Sequence, residues 1–222
     1  MSTSTKLLAL TFALFALASC KKNNPADSID LGYDFFPNKL GTYIIYQVDS
    51  IGYGVTQDTA SFQLKEVLAE DFVDGSNQGA MKVERYKKYN SGSEWVLTDV
   101  WTQKRTSSSA QRTEENVTYV RLVFPVEDGK SWNGNSYNTM DEWTYSISGI
   151  NDPVSYGALS FNETLRVNQR NYVNLVDQEI AYEIYARGVG LIFKRLTDLN
   201  YQDGSITGID MEMKVIDYGK VE

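Results

Sequence analysis

Histidine is absent from all 222 residues, and cysteine occurs once, at Cys20. The missing imidazole removes Ser-His-Asp and Cys-His catalysis, His-ligated zinc and the usual acid–base chemistry near neutral pH. Carboxylate, Lys or Tyr chemistry and oxygen-ligated calcium remain. Glu114-Glu115 and Asp141-Glu142 are adjacent in sequence. Neighbours in a strand point to opposite faces, so adjacency does not make a facing pair. A glycosidase needs two carboxyls about 5–10 Å apart across a cleft, and solvated loop charge is the expectation for both pairs. Asp198, Asn200, Gln202, Asp203 and Asp210 crowd one segment. Counted from Asp198, the sixth position is Asp203, where a calcium-binding EF-hand loop requires glycine, and flanking helical patterns are missing. A hairpin turn at Asp203-Gly204 is the better expectation. No catalytic residue, metal site or cofactor is therefore expected.

Aromatic residues are the remaining source of recognition chemistry. The chain has 15 Tyr and 4 Trp, and exposed rings stack on sugar faces or line apolar cavities. The segment Trp132-Asn133-Gly134-Asn135-Ser136-Tyr137-Asn138 is a polar loop with an aromatic near each end. Trp132, Asn133, Asn135 and Tyr137 are its candidate glycan contacts. The competing expectation, which holds for most strand aromatics, is that they fill a core.

The elements that would position these residues are strands. From Tyr33 onward, short runs rich in Val, Ile, Thr and aromatics alternate with period two. Ile44, Tyr46 and Val48 share one face, as do Phe62, Leu64 and Leu68. Further runs cover 81–89, 95–103 and 117–124, followed by Trp143/Tyr145/Ile147, Leu159/Phe161, Leu165/Val167 and Val173/Leu175. The last are Val189/Leu191/Phe193 and Ile209/Met211/Met213/Val215. Asp74-Gly75, Asn90-Ser91-Gly92, Asp128-Gly129, Asn133-Gly134 and Asp203-Gly204 separate them, and such pairs favour tight hairpins. Residues 177–186 read as helix through Ile180/Ile184 or as strand through Tyr182, Ile184 and Ala186, with strand preferred. The fold class is all-β: one antiparallel domain of about ten strands, a sandwich or a curved sheet tending to a barrel, with at most one short helix.

The N-terminal residues have a different character. Lys6 precedes a small and apolar stretch, Leu7 to Ala18, too short for the roughly 20 residues that span a bilayer and suited to a secretory leader. The run Leu17-Ala18-Ser19-Cys20 resembles the lipobox of bacterial lipoproteins. The resemblance implies cleavage before Cys20 and acylation of its thiol, and hence a membrane anchor, which two or more acyl chains make stable. With that cysteine lipidated, neither a disulfide nor thiolate chemistry is available. The expected organisation is a leader at 1–19, a lipidated cysteine and tether at 20–32, and the β domain at 33–222.

Charge sets further exclusions. With 21 Lys and Arg against 29 Asp and Glu, the net charge is −8, and losing Lys6 with the leader makes the remainder one unit more negative. No cation cluster exceeds a pair such as Lys21-Lys22, Lys87-Lys88 or Lys104-Arg105. Nucleic-acid binding, which needs a basic patch, is excluded.

Two stretches carry a family resemblance. Phe35-Phe36-Pro37-Asn38-Lys39-Leu40-Gly41-Thr42-Tyr43 with Ile45-Tyr46 looks like the opening of uncharacterised envelope lipoproteins of Bacteroidota. Tyr185-Ala186-Arg187-Gly188-Val189-Gly190-Leu191-Ile192 resembles their closing turn and strand. Asp27-Ser28-Ile29, Asp49-Ser50-Ile51 and Asp58-Thr59-Ala60 resemble that phylum's O-glycosylation sequon, placing candidate modifications at Ser28, Ser50 and Thr59. The resemblance implies an outer-membrane lipoprotein, since Lys21 stands where enterobacterial inner-membrane retention would use Asp. The facing side stays open between periplasm and surface. The expected role is a non-catalytic binding module for a hydrophobic ligand, a glycan or an envelope protein. The alternatives are an assembly factor without a small ligand and a carboxylate-dependent glycan-active enzyme.

Overall fold

The computed structural model describes residues 29–89, 92–202 and 204–221. The leader, the lipobox residues Leu17, Ala18, Ser19 and Cys20, and the candidate modification site Ser28 lie outside the described residues. Residues 31–222 form one compact unit. Leu31 already belongs to it, because its carbonyl accepts a hydrogen bond from Val126 N, and Gly32 is buried. The domain therefore begins inside the segment expected to be tether, held by a tertiary contact that no local periodicity announces.

A 3-10 turn at Tyr33–Phe35 opens the unit. The long strands β1 (Thr42–Tyr53), β2 (Asp58–Val73), β3 (Gly79–Lys88) and β4 (Val96–Arg105) follow as hairpins. Next come β5 (Ser109–Glu114), β6 (Val117–Val123), β7 (Ser131–Asn133) and β8 (Thr144–Ser148). The chain continues through β9 (Val154–Tyr156), β10 (Leu159–Phe161), β11 (Thr164–Val173) and β12 (Asp177–Ala186), and closes with β13 (Gly190–Gln202) and β14 (Ser205–Lys220). Twelve of them form one sheet in the order β6-β5-β4-β3-β2-β1-β14-β13-β12-β11-β8-β7, and the pairs along it are antiparallel. β9 and β10 form a separate hairpin.

The all-β expectation holds, in its curved-sheet form. The two sheet edges meet: Val120 N of β6 donates to Gly134 O beyond β7 at 2.9 Å, and Trp132 Nε1 donates to Val120 O at 2.8 Å. This seam nearly closes the sheet into a barrel and protects edges that would otherwise offer unpaired backbone groups. Residues 177–186 are strand, β12. Leu165/Val167 and Val173/Leu175, expected as separate runs, share β11 up to Val173, with a bulge between Asn168 and Arg170. β5, of sequence SAQRTE, was not expected, because its inward positions include charged residues rather than an apolar series.

One end of the barrel interior is densely packed. Phe35, Phe36, Ala110, Leu122, Phe124, Tyr145, Ile147, Leu165, Val167 and Tyr185 form a buried cluster there. Full burial of one such Leu or Ile is worth about 1.5–3 kcal/mol. The stretch before β1 caps that end. Arg105 Nη1 donates to the carbonyls of Tyr33 and Phe36, and Gln103 Nε2 donates to Pro37 O. The two stretches that carried the family resemblance meet here: Gly188 N donates to Asp34 O at 2.8 Å, and a Cβ on Gly190, at φ 104°, would stand 3.3 Å from Pro37 Cδ. Elsewhere the β9–β10 hairpin packs on the sheet, with Tyr156 stacked on Phe193 at 5.5 Å.

Candidate functional site

Cross-strand register brings a set of ionisable side chains into the barrel. On β2, Leu64 and Leu68 face inward, and the position between them is Glu66, only 6% exposed. Its direct partner on β3 is Arg85, whose Nε lies 3.0 Å from Glu66 Oε1. Arg112 reaches the other carboxylate oxygen from β5 at 2.7 Å and gives a second bond to Gln103 Oε1 at 2.8 Å. Arg85 also stacks over Trp101, 3.5 Å from the ring centroid, and pairs with Asp99 at 3.2 Å.

A second group spans the interior from β6 to β12. Arg121, 7% exposed, binds Glu114 through Nη2 and Glu183 Oε1 through Nη1, the latter at 3.2 Å. Glu183 further accepts Tyr185 OH at 2.6 Å and faces Lys194 Nζ at 3.5 Å. The sequence alternation in β12 singled out Tyr182, Ile184 and Ala186, whereas Glu183 and Tyr185 are the residues turned to the interior. Glu114, expected as solvated loop charge beside Glu115, is a half-buried ion-pair partner on β5. Glu115 lies at the β5–β6 turn with φ 47° and accepts Trp101 Nε1.

The electrostatics follow from this geometry. Burial alone would raise the Glu66 carboxyl, but Arg112 and Arg85 outweigh it and hold it below the usual carboxylate range. Burial likewise opposes ionisation of Glu114, yet Arg121, Lys194 and Arg112 bring it down to about 2. Glu183 is lowered against its burial by Arg121, Lys194 and the Tyr185 hydroxyl. Desolvation pushes the Tyr46, Tyr145 and Tyr185 hydroxyls up, so they stay neutral. All three carboxyls are thus held on the ionised side by their cationic neighbours.

Beside these groups lies a cavity of about 230 Å³. Ile44, Tyr46, Val48, Phe62, Leu64 and the thioethers of Met211 and Met213 make an apolar wall on β14, β1 and β2. The rest of the lining, from β3 to β6, carries Arg85, Lys87, Gln103, Arg112, Glu114 and Arg121. Arg112 Nε is buried without a hydrogen-bond partner. An apolar engineered cavity of about 150 Å³ binds benzene, so this one has room for a small organic ligand.

The glycan candidates lie apart from the cavity, at the seam. The Trp132 ring packs edge-on against Tyr145 at 5.9 Å, and its Nε1 holds β6. Asn133 Oδ1 accepts from Asn135 N and Trp143 N, and Asn135 is buried, donating to Asp141 O. Tyr137 is 62% exposed, the one member of the four open to solvent. Ser50 and Thr59 sit on neighbouring strands, half-buried and exposed respectively. Asp210 of the candidate calcium segment pairs with Arg195 and Thr197, and Asn200 donates to Asp177. Among the described residues no group of three or more acidic, His or Cys side chains is placed to hold a metal.

No protein-family profile matches the chain, and no curated protein matches it. Solved structures it resembles include a protein from Bacteroides fragilis classed as exported, with a YmcC-like fold, at TM-score 0.44 and 11% identity. That match covers 84% of this chain and 99% of the other. A second, classed as a lipoprotein from Parabacteroides distasonis, has TM-score 0.39 and 10% identity over 83% and 98% of the two chains. Likenesses at this level assign neither fold nor role.

Proposed function

We propose that this chain is a lipid-anchored envelope lipoprotein of the outer membrane whose β domain is a non-catalytic module binding a small hydrophobic ligand inside the barrel. The anchor rests on Leu17-Ala18-Ser19-Cys20. The binding role rests on one observation: a cavity of about 230 Å³ with an apolar wall built from Tyr46, Val48, Leu64 and Met213 of a second buried cluster. Cavities of this kind are the usual small-molecule sites of curved sheets. The ionised, Arg-paired state of Glu66, Glu114 and Glu183 supports binding over carboxylate catalysis.

Native mass spectrometry of residues 21–222, after incubation with lipid-rich and delipidated envelope extracts, tests the reading. A discrete bound mass from the lipid-rich extract alone is expected. Absence of any bound mass, with control carriers loaded, would transfer the role to a protein partner. One observation favours that second reading. The β1–β2, β13–β14 and β11–β12 hairpins are neighbours in the sheet order, and their tips expose Val55, Ile206, Val173 and Leu175, an apolar set of the kind found at interaction sites.

A further inference from the structure

We infer that the cavity selects an amphiphile with a single negative charge: a carboxylate head on an apolar body of about ten non-hydrogen atoms. The inference rests on the binding reading above and names its ligand class.

Charge inside the barrel is the first support. The protein as a whole is acidic, at −8, yet the cavity lining holds five cations, Arg85, Lys87, Arg112, Arg121 and Lys194, against three carboxylates, Glu66, Glu114 and Glu183. Asp99, which pairs with Arg85 at 3.2 Å, brings the acids to four. One positive charge is left over. A half-buried cation in the cavity lining without a carboxylate partner is placed to receive an anion.

The surplus falls on a definite residue. Glu66 binds Arg85 and Arg112, Glu114 binds Arg121, and Glu183 binds Arg121 and Lys194. Lys87 has no carboxylate partner among the described residues. Its Nζ stands 5.1 Å from the Phe62 ring centroid, and its register partner is the buried Leu64, so the ammonium is held at the apolar wall. A second unused donor belongs to the same lining. Arg112 Nε is buried and unpartnered although the Nη1 and Nη2 of the same guanidinium are bonded, and a buried orphan donor costs about 1–3 kcal/mol unless a partner arrives.

Shape supplies the rest. The apolar residues of β14, β1 and β2 adjoin the charged residues of β3 to β6 across the β2–β3 pair, so an elongated ligand lies with its chain along Val48, Phe62, Leu64 and Met213 and its head toward Lys87 and Arg112. The thioethers of Met211 and Met213 adapt to chains of differing shape. A doubly charged phosphate would leave one negative charge unmatched.

Titration calorimetry on the full chain in lipid nanodiscs, with empty nanodiscs as blank, tests this with octanoate, octanol, octylammonium and octyl phosphate. Octanoate is expected to bind about tenfold or more tightly than octanol, as one charge-assisted hydrogen bond implies, with octylammonium weakest and octyl phosphate below octanoate. Lys87→Met, which keeps an unbranched apolar chain, is expected to abolish the preference for octanoate while leaving octanol unchanged. Equal affinity for octanoate and octanol, or a preference for octylammonium, would overturn the charge selection and leave the binding reading intact. A preference for octyl phosphate would replace the head group. Persistence of the octanoate preference in Lys87→Met would remove Lys87 from the site. Failure of every probe to bind would overturn the binding reading itself, and the selection with it.

Discussion

The two halves of the barrel interior are built on opposite principles. Under the cap at Tyr33–Pro37, Leu122, Ile147, Leu165 and Val167 are essentially inaccessible and belong to a buried apolar cluster. Elsewhere the interior holds Glu66, Arg112, Arg121 and Glu183 beside a cavity. The apolar half is what a stable fold requires. The charged half is not: well-packed apolar residues of similar volume often do as well as a buried ion pair or better. What the charged half provides is a fixed pattern of donors beside apolar surface, the arrangement on which the proposed recognition rests.

Breaking one partner in the charged half gives the largest expected effect. Glu66→Ala leaves Arg85 and Arg112 without their shared carboxylate and should cost about 3–5 kcal/mol in urea unfolding. The paired replacement Glu66→Leu with Arg112→Met removes both charges, with Asp99 still bound to Arg85, and should recover much of that loss. A double variant as unstable as the single would show that the charged half is structural after all. In the apolar half, Leu165→Ala should cost about 2–5 kcal/mol by the same measurement without altering the ligand selectivity.

The seam separates the halves in a third way. A Cβ on Gly134 would fall 2.5 Å from the Tyr145 ring, which is almost fully buried and cannot retreat. Gly134→Ala should therefore cost about 1–3 kcal/mol, as overpacking does, and should speed amide exchange at Val120, whose N–H bonds Gly134. Unchanged exchange at Val120 would mean that the bond to Gly134 does not hold the sheet edges together.

Acid distinguishes the halves next. The folded carboxyls of Glu66, Glu114 and Glu183 lie below their unfolded value, with Glu114 at about 2. Their contribution is fully present above the unfolded value of about 4.5 and is lost as pH falls below it, that of Glu114 as pH falls through about 2. Urea midpoints should fall between pH 5 and 2, and less steeply in the Glu66→Leu, Arg112→Met double variant. The smallest effect is expected at Tyr137→Ala, within about 0.5 kcal/mol of wild type. Glycan-array binding that disappears in this variant would restore the seam loop as a recognition site.

Part of the charged half was visible in the residue pattern. Phe62, Leu64 and Leu68 alternate, and Glu66 is the interruption on that same face. Arg85 follows Val83 two residues on, and Glu183 stands between Ala181 and Tyr185. Such interruptions also occur wherever a strand face is only half buried, so the pattern alone does not separate an inward charge from an outward one. β5 shows the same ambiguity, since Ala110, Arg112 and Glu114 form no apolar series. The seam was hidden for another reason. Trp132, Asn133 and Asn135 read as a polar aromatic loop, and only the arrival of β6 from 12 residues upstream gives the Trp132 indole its acceptor.

By itself the sequence determined the β class, because period-two alternation and Asp-Gly or Asn-Gly turns act over a few residues. It also determined that no imidazole is present and that the single thiol lies at Cys20. Only the tertiary structure decided which face of each strand is inside, since that depends on the sheet curving until β6 meets the chain beyond β7. Closure turned Glu66, Arg112, Arg121 and Glu183 from a scatter of charges into one buried network beside a cavity, because in a barrel residues far apart in sequence share an interior that excludes water and must neutralise one another there.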